Sequence, residues 1–105
     1  MSALVALCTV AKPEDAEYLA RELVERRLAA CVNLLPPVTS IYRWKGDVER
    51  AAETLLLIKT TAARFEALRE AIVSLHGYDV PELIALPVSA GHAPYLAWLA
   101  ESVGD

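Results

Sequence analysis

The chain is poor in the residues on which nucleotide sites and catalytic centres are commonly built. Its four glycines stand apart, so neither a G-x-G-x-x-G fingerprint nor a P-loop can be written, and nucleotide binding by those routes is excluded. His76 and His92 are the only imidazoles. Nothing in the sequence pairs either with a nucleophile, which argues against covalent catalysis and for a protein that is not an enzyme. The two cysteines, Cys8 and Cys31, lack the spacing of a C-x-x-C motif or a zinc knuckle. In a reducing cytosol they are expected as free thiols, and each reads first as a small buried hydrophobe. No apolar run approaches the ~20 residues that cross a bilayer, and the N-terminus has neither the basic start nor the processing site of a secretory signal. The expectation is a soluble cytoplasmic protein with no membrane partner. Basic residues are scattered and the net charge is -4, which leaves no electrostatic footprint for nucleic acid.

What the chain has in excess is apolar surface. Hydrophobic residues make up 55% of it, above the ~45–50% of ordinary soluble domains. A chain of 105 residues fits one domain, 1–105, with one core. The surplus therefore needs another place to be buried, and contact between subunits is the simplest.

The order of elements follows from hydrophobic period and breakers. Leu4 to Val10 is short, apolar and β-branched, and the Lys12-Pro13 break closes it as a buried strand. Pro13 suits the first turn of a helix, with Glu14 and Asp15 at the positive end of the dipole. Ala16, Leu19, Ala20, Leu23, Val24 and Leu28 then form its apolar stripe. Cys31 to Trp44 reads as a strand that Pro36-Pro37 must bulge or hold at an edge. Lys45-Gly46-Asp47 is turn chemistry, and Thr54 to Thr61 reads as the returning strand of a hairpin whose connection is longer than a tight turn. A second helix carries Phe65, Leu68, Ile72 and Leu75 on one face, with Gly77 as its C-cap. Glu82 to Val88 is the last core strand, and Pro94 opens a short C-terminal helix.

This order predicts an α+β, ferredoxin-like βαββαβ fold: one antiparallel sheet in the order 4-1-3-2, with two helices on one face. Three strands are apolar at nearly every position, whereas a half-solvated antiparallel sheet alternates. They ask for cover on both faces, and the terminal helix can supply only part of it. A second subunit is the expected source of the rest.

Topology places Cys8 and His76 at the same end of the sheet. A thiolate and an imidazole suit copper or zinc, but two ligands leave a site that water or a neighbouring subunit must complete. The alternative is a buried Cys8 beside a solvated loop His76. His92 reads as a surface histidine before the last helix. Tyr42, Arg43, Trp44 and Lys45 read as interface aromatics with basic neighbours. Lys59 and Glu82 interrupt or begin apolar strands, so each is placed at an interface, in a cleft or at an exposed strand end.

The same segments resemble the CutA divalent-cation-tolerance family: Leu7-Cys8-Thr9, Ala30 to Leu34, Ser40 to Gly46 (SIYRWKG), Leu56 to Thr60, Tyr78 to Val88 (YDVPELIALPV) and Tyr95 to Leu99. The resemblance runs from Leu4 to about Leu99 and implies a ferredoxin-like subunit, a homotrimer and a cytoplasmic role with Cu²⁺ or other divalent cations. Carried over by position, it implies Cys8 and His76 as metal ligands. Leu75 stands where some members have a second histidine, Gly77 replaces a common proline and Pro37 a common glycine. A trimeric regulatory or scaffold module is the alternative, similar to the nitrogen-regulatory signal proteins, with a small molecule in its inter-subunit clefts. An acylphosphatase-like enzyme shares the element order but lacks its arginine-bearing phosphate loop here.

Overall fold

The computed structural model describes residues 2–105. Its elements are β1 (Ala3–Val10), α1 (Pro13–Glu25), β2 (Cys31–Trp44), β3 (Asp47–Thr61), α2 (Phe65–Leu75), β4 (Ile84–Pro87) and α3 (Ala93–Ser102). The sheet has the order β2-β3-β1-β4, and each neighbouring pair is antiparallel. This is the arrangement expected from the alternation of strands and helices.

Helix α1 begins at Pro13 and buries Ala16, Leu19, Ala20 and Leu23. Its stripe stops short of Leu28, because Arg27 turns left-handed at φ 58° and the Leu28 N–H bonds back to the Leu23 carbonyl at 2.9 Å, a C-terminal lock of the Schellman kind. Val24, expected in the stripe, is exposed. Helix α2 buries Leu68, Ala71 and Ile72. Gly77 is not its left-handed cap: the chain leaves the helix through His76, whose backbone is extended. Both helices close over Ala6, Cys8 and Val10 of β1 and over Leu56 and Ile58 of β3, forming the main core. Burying each large aliphatic side chain there contributes about 1.5–3 kcal/mol.

The hairpin differs most from expectation. Trp44 pairs with Asp47, so only Lys45 and Gly46 form the turn, at φ 50° and 88°. That is the primed two-residue connection matched to strand twist. Strand β3 thus starts seven residues before Thr54, and the charged stretch Asp47 to Glu53 is strand. It was hidden because the outer hairpin has no third strand or helix beside it, and its residues are nearly all exposed, so no buried alternation marks it. A Gly46→Ala variant places a Cβ in open space but at a left-handed φ, and is expected to lose about 1 kcal/mol in chemical denaturation.

Pro36-Pro37 falls at the irregularity between Leu35 and Val38, where the register with β3 shifts. One residue more on β2 than on β3 spans the gap, so the side-chain parity flips. Leu35 pairs with Leu55 and, after the bulge, Val38, Ser40 and Tyr42 pair with Glu53, Ala51 and Glu49. Those residues of β2 therefore share the sheet face that the helices do not cover.

That second face carries Val5, Leu7, Leu55, Leu57, Ile84 and Leu86, with Leu7 opposite Leu57 and Ile84, Val5 opposite Leu86 and Lys59, and Leu55 opposite Thr9. Helix α3 shields one end only, packing Leu99 and Val103 on Ala3 and Ala30. Ile84 and Leu86 remain 54% exposed each. No helix among the described residues is long and apolar enough to cross a membrane. Cys8 and Cys31 are both free thiols.

Candidate functional site

The C-terminal end of β1 is where the loops, the helices and the outer hairpin meet. The Thr9 carbonyl is its hub. His76 Nε2–H donates to that oxygen at 2.7 Å, and the Cys8 thiol approaches the same oxygen at 3.9 Å. The expected convergence of Cys8 and His76 at one end of the sheet is therefore present. The extended exit of α2 at His76 is what swings the imidazole under β1.

Both groups are engaged within the chain in this arrangement. The other ring nitrogen, Nδ1, accepts the Tyr78 backbone N–H at 3.1 Å, so both ring nitrogens are engaged. Cys8 lies on the helix side of the sheet, fully buried. Burial pushes its thiol up to about 12, and the Glu82 and Glu53 carboxylates push in the same direction. A ligating cysteine must be thiolate. No group of three or more His, Cys, Asp or Glu side chains placed to hold a metal occurs among the described residues. Leu75 projects beside His76 into a small hollow of about 310 Å³ whose rim includes Asp15 and Tyr18. His92 is exposed at the start of α3.

From His76 the hydrogen bonds continue outward. The Tyr78 ring packs on the His76 ring with centroids 4.6 Å apart, and its hydroxyl donates to Glu53 Oε2 at 2.6 Å. Burial and that bond to Glu53 hold the Tyr78 phenol above its ordinary range. Only 7% of the Glu53 surface is exposed, yet it makes no ion pair among the described residues. Thr9 itself donates its hydroxyl to Glu82 Oε1 at 3.4 Å.

Glu53, Tyr78, Glu82 and Thr9 line a pocket of about 620 Å³. Its outer wall is the hairpin, with Ser40, Tyr42 and Trp44 of β2, and Asp79 and Val80 belong to the loop between α2 and β4. The parity flip at Pro36-Pro37 puts Tyr42, opposite Glu49, on the same sheet face as Glu53. No lining residue is basic.

Sequence reasoning missed Glu53 and the role of Tyr78. A signal for Glu53 was available: a carboxylate two residues before a run of Leu and Ile is either a strand end or a buried charge. Starting the strand at Thr54 left it outside. Lys59, expected at an interface, in a cleft or at an exposed strand end, lies on the uncovered face, where its ammonium donates to Asn33 and sits 3.9 Å from Cys31 Sγ.

Known proteins share this arrangement along nearly the whole chain. Residues 4–102 match the family described as CutA1 divalent ion tolerance protein. The divalent-cation tolerance protein CutA of Thermus thermophilus is 52% identical over 100 residues, covering 95% of this chain and 97% of that protein. The human protein CutA is 48% identical over 107 residues, and this chain spans only 60% of its length. Names of relatives place them in different compartments, a rice protein being called chloroplastic and one from Archaeoglobus fulgidus periplasmic. The solved Thermus thermophilus structure superposes with a TM-score of 0.95 at 51% identity, over 97% of this chain and 99% of that one. With the strand order, the motif segments and the full-length match in agreement, the chain belongs to the CutA1 divalent ion tolerance protein family.

Proposed function

We propose that the chain acts as a cytoplasmic homotrimer that contributes to divalent-cation tolerance by taking up Cu²⁺ or a similar ion, without turnover. The observation that carries this reading is the uncovered sheet face. Val5, Leu7, Leu55, Leu57, Ile84 and Leu86 form an apolar surface continuous across three strands, and such patches mark interaction sites. A family role named for divalent cations supplies the ligand class. Free thiols at Cys8 and Cys31 suit a reducing compartment.

The metal ligands proposed are Cys8 and His76, a soft and a borderline donor that suit copper. Their geometry sets a condition on uptake: the imidazole must release the Thr9 carbonyl and the Tyr78 amide, Cys8 must lose its proton, and water or a neighbouring subunit must complete the coordination. Isothermal titration of the protein with Cu²⁺ is expected to show binding that weakens at least about tenfold in both Cys8→Ala and His76→Ala. Unchanged affinity in both variants removes this site. A second reading, a trimeric regulatory or scaffold module holding a small molecule, is favoured by the 620 Å³ pocket beside Glu53.

A further inference from the structure

Two opposite charges on the uncovered sheet face have no counter-charge in their own subunit. Glu53 has 7% of its surface exposed, and the Tyr78 hydroxyl that donates to it is a neutral donor that leaves the charge of the carboxylate in place. Lys59 is the only basic residue whose strand position puts it on that face, since Arg43 and Arg50 share the other face with their partners Val48 and Ile41. Its ammonium donates to the Asn33 side-chain oxygen and approaches Cys31 Sγ, and neither acceptor is a carboxylate. No ion pair among the described residues includes Glu53 or Lys59.

The two cannot meet within one subunit. They stand six residues apart on β3, which at ~3.3 Å per residue separates them by roughly 20 Å. Between them lie Leu55 and Leu57, part of the apolar surface proposed above as the subunit contact. Closing that surface removes water from both of its ends, and a charge buried there without a partner is strongly destabilising. Opposite charges brought together across the contact offset that cost and fix its register. Asp47 and Glu49 lie on the same face but are exposed on the outer hairpin, where water serves them. Glu53 is recessed in a pocket whose other charged residues are Asp79 and Glu82 and which no basic residue lines, so a cation that reaches it must come from outside that pocket.

We propose that Lys59 of one subunit extends its ammonium to Glu53 of the next, closing the trimer through three identical ion pairs. The inference rests on the trimeric reading above and names the polar contact of its interface, and it needs no metal. Such a head-to-tail contact is what generates a closed ring: residue 59 of each copy meets residue 53 of another and never its own. The apolar residues between the two charges supply the area of the contact, and the charges at its ends set which way the copies face.

The test is a double-mutant cycle under chelator, with Lys59→Met, Glu53→Gln and the two combined. Sedimentation equilibrium gives the mass of each protein, and urea unfolding at several protein concentrations gives the equilibrium constant between trimer and unfolded chains. Met keeps the apolar stem of the lysine and Gln keeps an acceptor for the Tyr78 hydroxyl, so each subunit is expected to retain its far-ultraviolet circular dichroism. Each single variant is expected to lower that constant at least about a hundredfold, because it strands the opposite charge in the contact. The double variant is expected to be no weaker than either single one, and to recover the trimer where both singles are monomeric. Residues this far apart in one subunit with no shared partner are otherwise additive to within about twofold, so the coupling reports contact across subunits. Losses that multiply in the double variant overturn the pairing, as does undiminished assembly of both singles. Coupling of Glu53→Gln to Lys45→Met in place of Lys59→Met also overturns it, by assigning the cation to the hairpin tip. A monomeric unsubstituted protein overturns the trimer and the pair together, whereas additive losses from an intact trimer overturn the pair alone.

Discussion

A Leu57→Glu variant is expected to sediment as a single chain of 11.4 kDa, where the unsubstituted protein, as the proposed trimer, is expected at three times that mass. Leu57 occupies β3, an interior strand, paired with Leu7 on one side and Asn33 on the other, and it faces away from both helices. In an isolated subunit the new carboxylate projects from an uncovered face into water, so the fold has little reason to fail. Between subunits the same carboxylate is buried without a partner, at a cost of several kcal/mol for each copy. Dissociation without unfolding is the expected result, read by sedimentation equilibrium together with far-ultraviolet circular dichroism. The adjacent residue provides the contrast. Ile58 is fully buried against α1 and α2, so Ile58→Glu is expected to unfold the chain outright. A trimeric mass for Leu57→Glu, or a monomeric mass for the unsubstituted protein, removes the proposed assembly.

The pair of substitutions also shows what the amino-acid pattern could reveal. Residues 55 to 58 are Leu, Leu, Leu and Ile, and a run without alternation by itself announces burial on both faces. The helices account for Leu56 and Ile58, and the uncovered remainder is Leu55 and Leu57. The strand order was readable for a related reason, since two amphipathic helices set between strands leave few topologies. Hairpin length was not readable. The first half of β3 contacts no third element, so it carries charges on both faces and mimics a loop, while the primed turn at Lys45-Gly46 offers only one glycine as its mark.

The candidate site was legible in position and not in state. Chain order alone put Cys8 and His76 at one end of the sheet, because that placement depends on topology. Which way each side chain faces depends on details finer than topology. The extended backbone at His76 commits both ring nitrogens, and the strand parity at Cys8 commits its thiol to the core. Glu53 left a signal in the sequence but its surroundings did not: they are set by the bulge at Pro36-Pro37, which flips the parity of the strand opposite, so that Val38 stands opposite Glu53 and Tyr42 opposite Glu49. Pro36-Pro37 signalled that a bulge was needed and could not say that one residue would be gained.

Cys8 supplies a second large effect, in the dependence of stability on pH. Its thiol is held up to about 12 from an ordinary value of about 9.0, chiefly by burial, with Glu82 and Glu53 adding repulsion. A folded-state value above the unfolded one means that the native chain binds this proton more tightly. The resulting stabilisation is fully present below about pH 9 and is lost as pH rises toward 12, because the unfolded thiol ionises while the native thiol cannot. At ~1.4 kcal/mol per pH unit the span amounts to roughly 4 kcal/mol for the metal-free protein. Chemical denaturation under chelator at intervals between pH 8 and 11 is expected to show this decline, and Cys8→Ala is expected to remove it while lowering stability at neutral pH through the small cavity it leaves. Comparing the two proteins cancels Tyr78 and the lysines, which titrate in both. Parallel curves mean that Cys8 is not shielded as the structure has it. A steeper decline in the presence of Cys8 means that this thiol gives up its proton reluctantly, so at the proposed copper site Cu²⁺ uptake is expected to strengthen as pH rises.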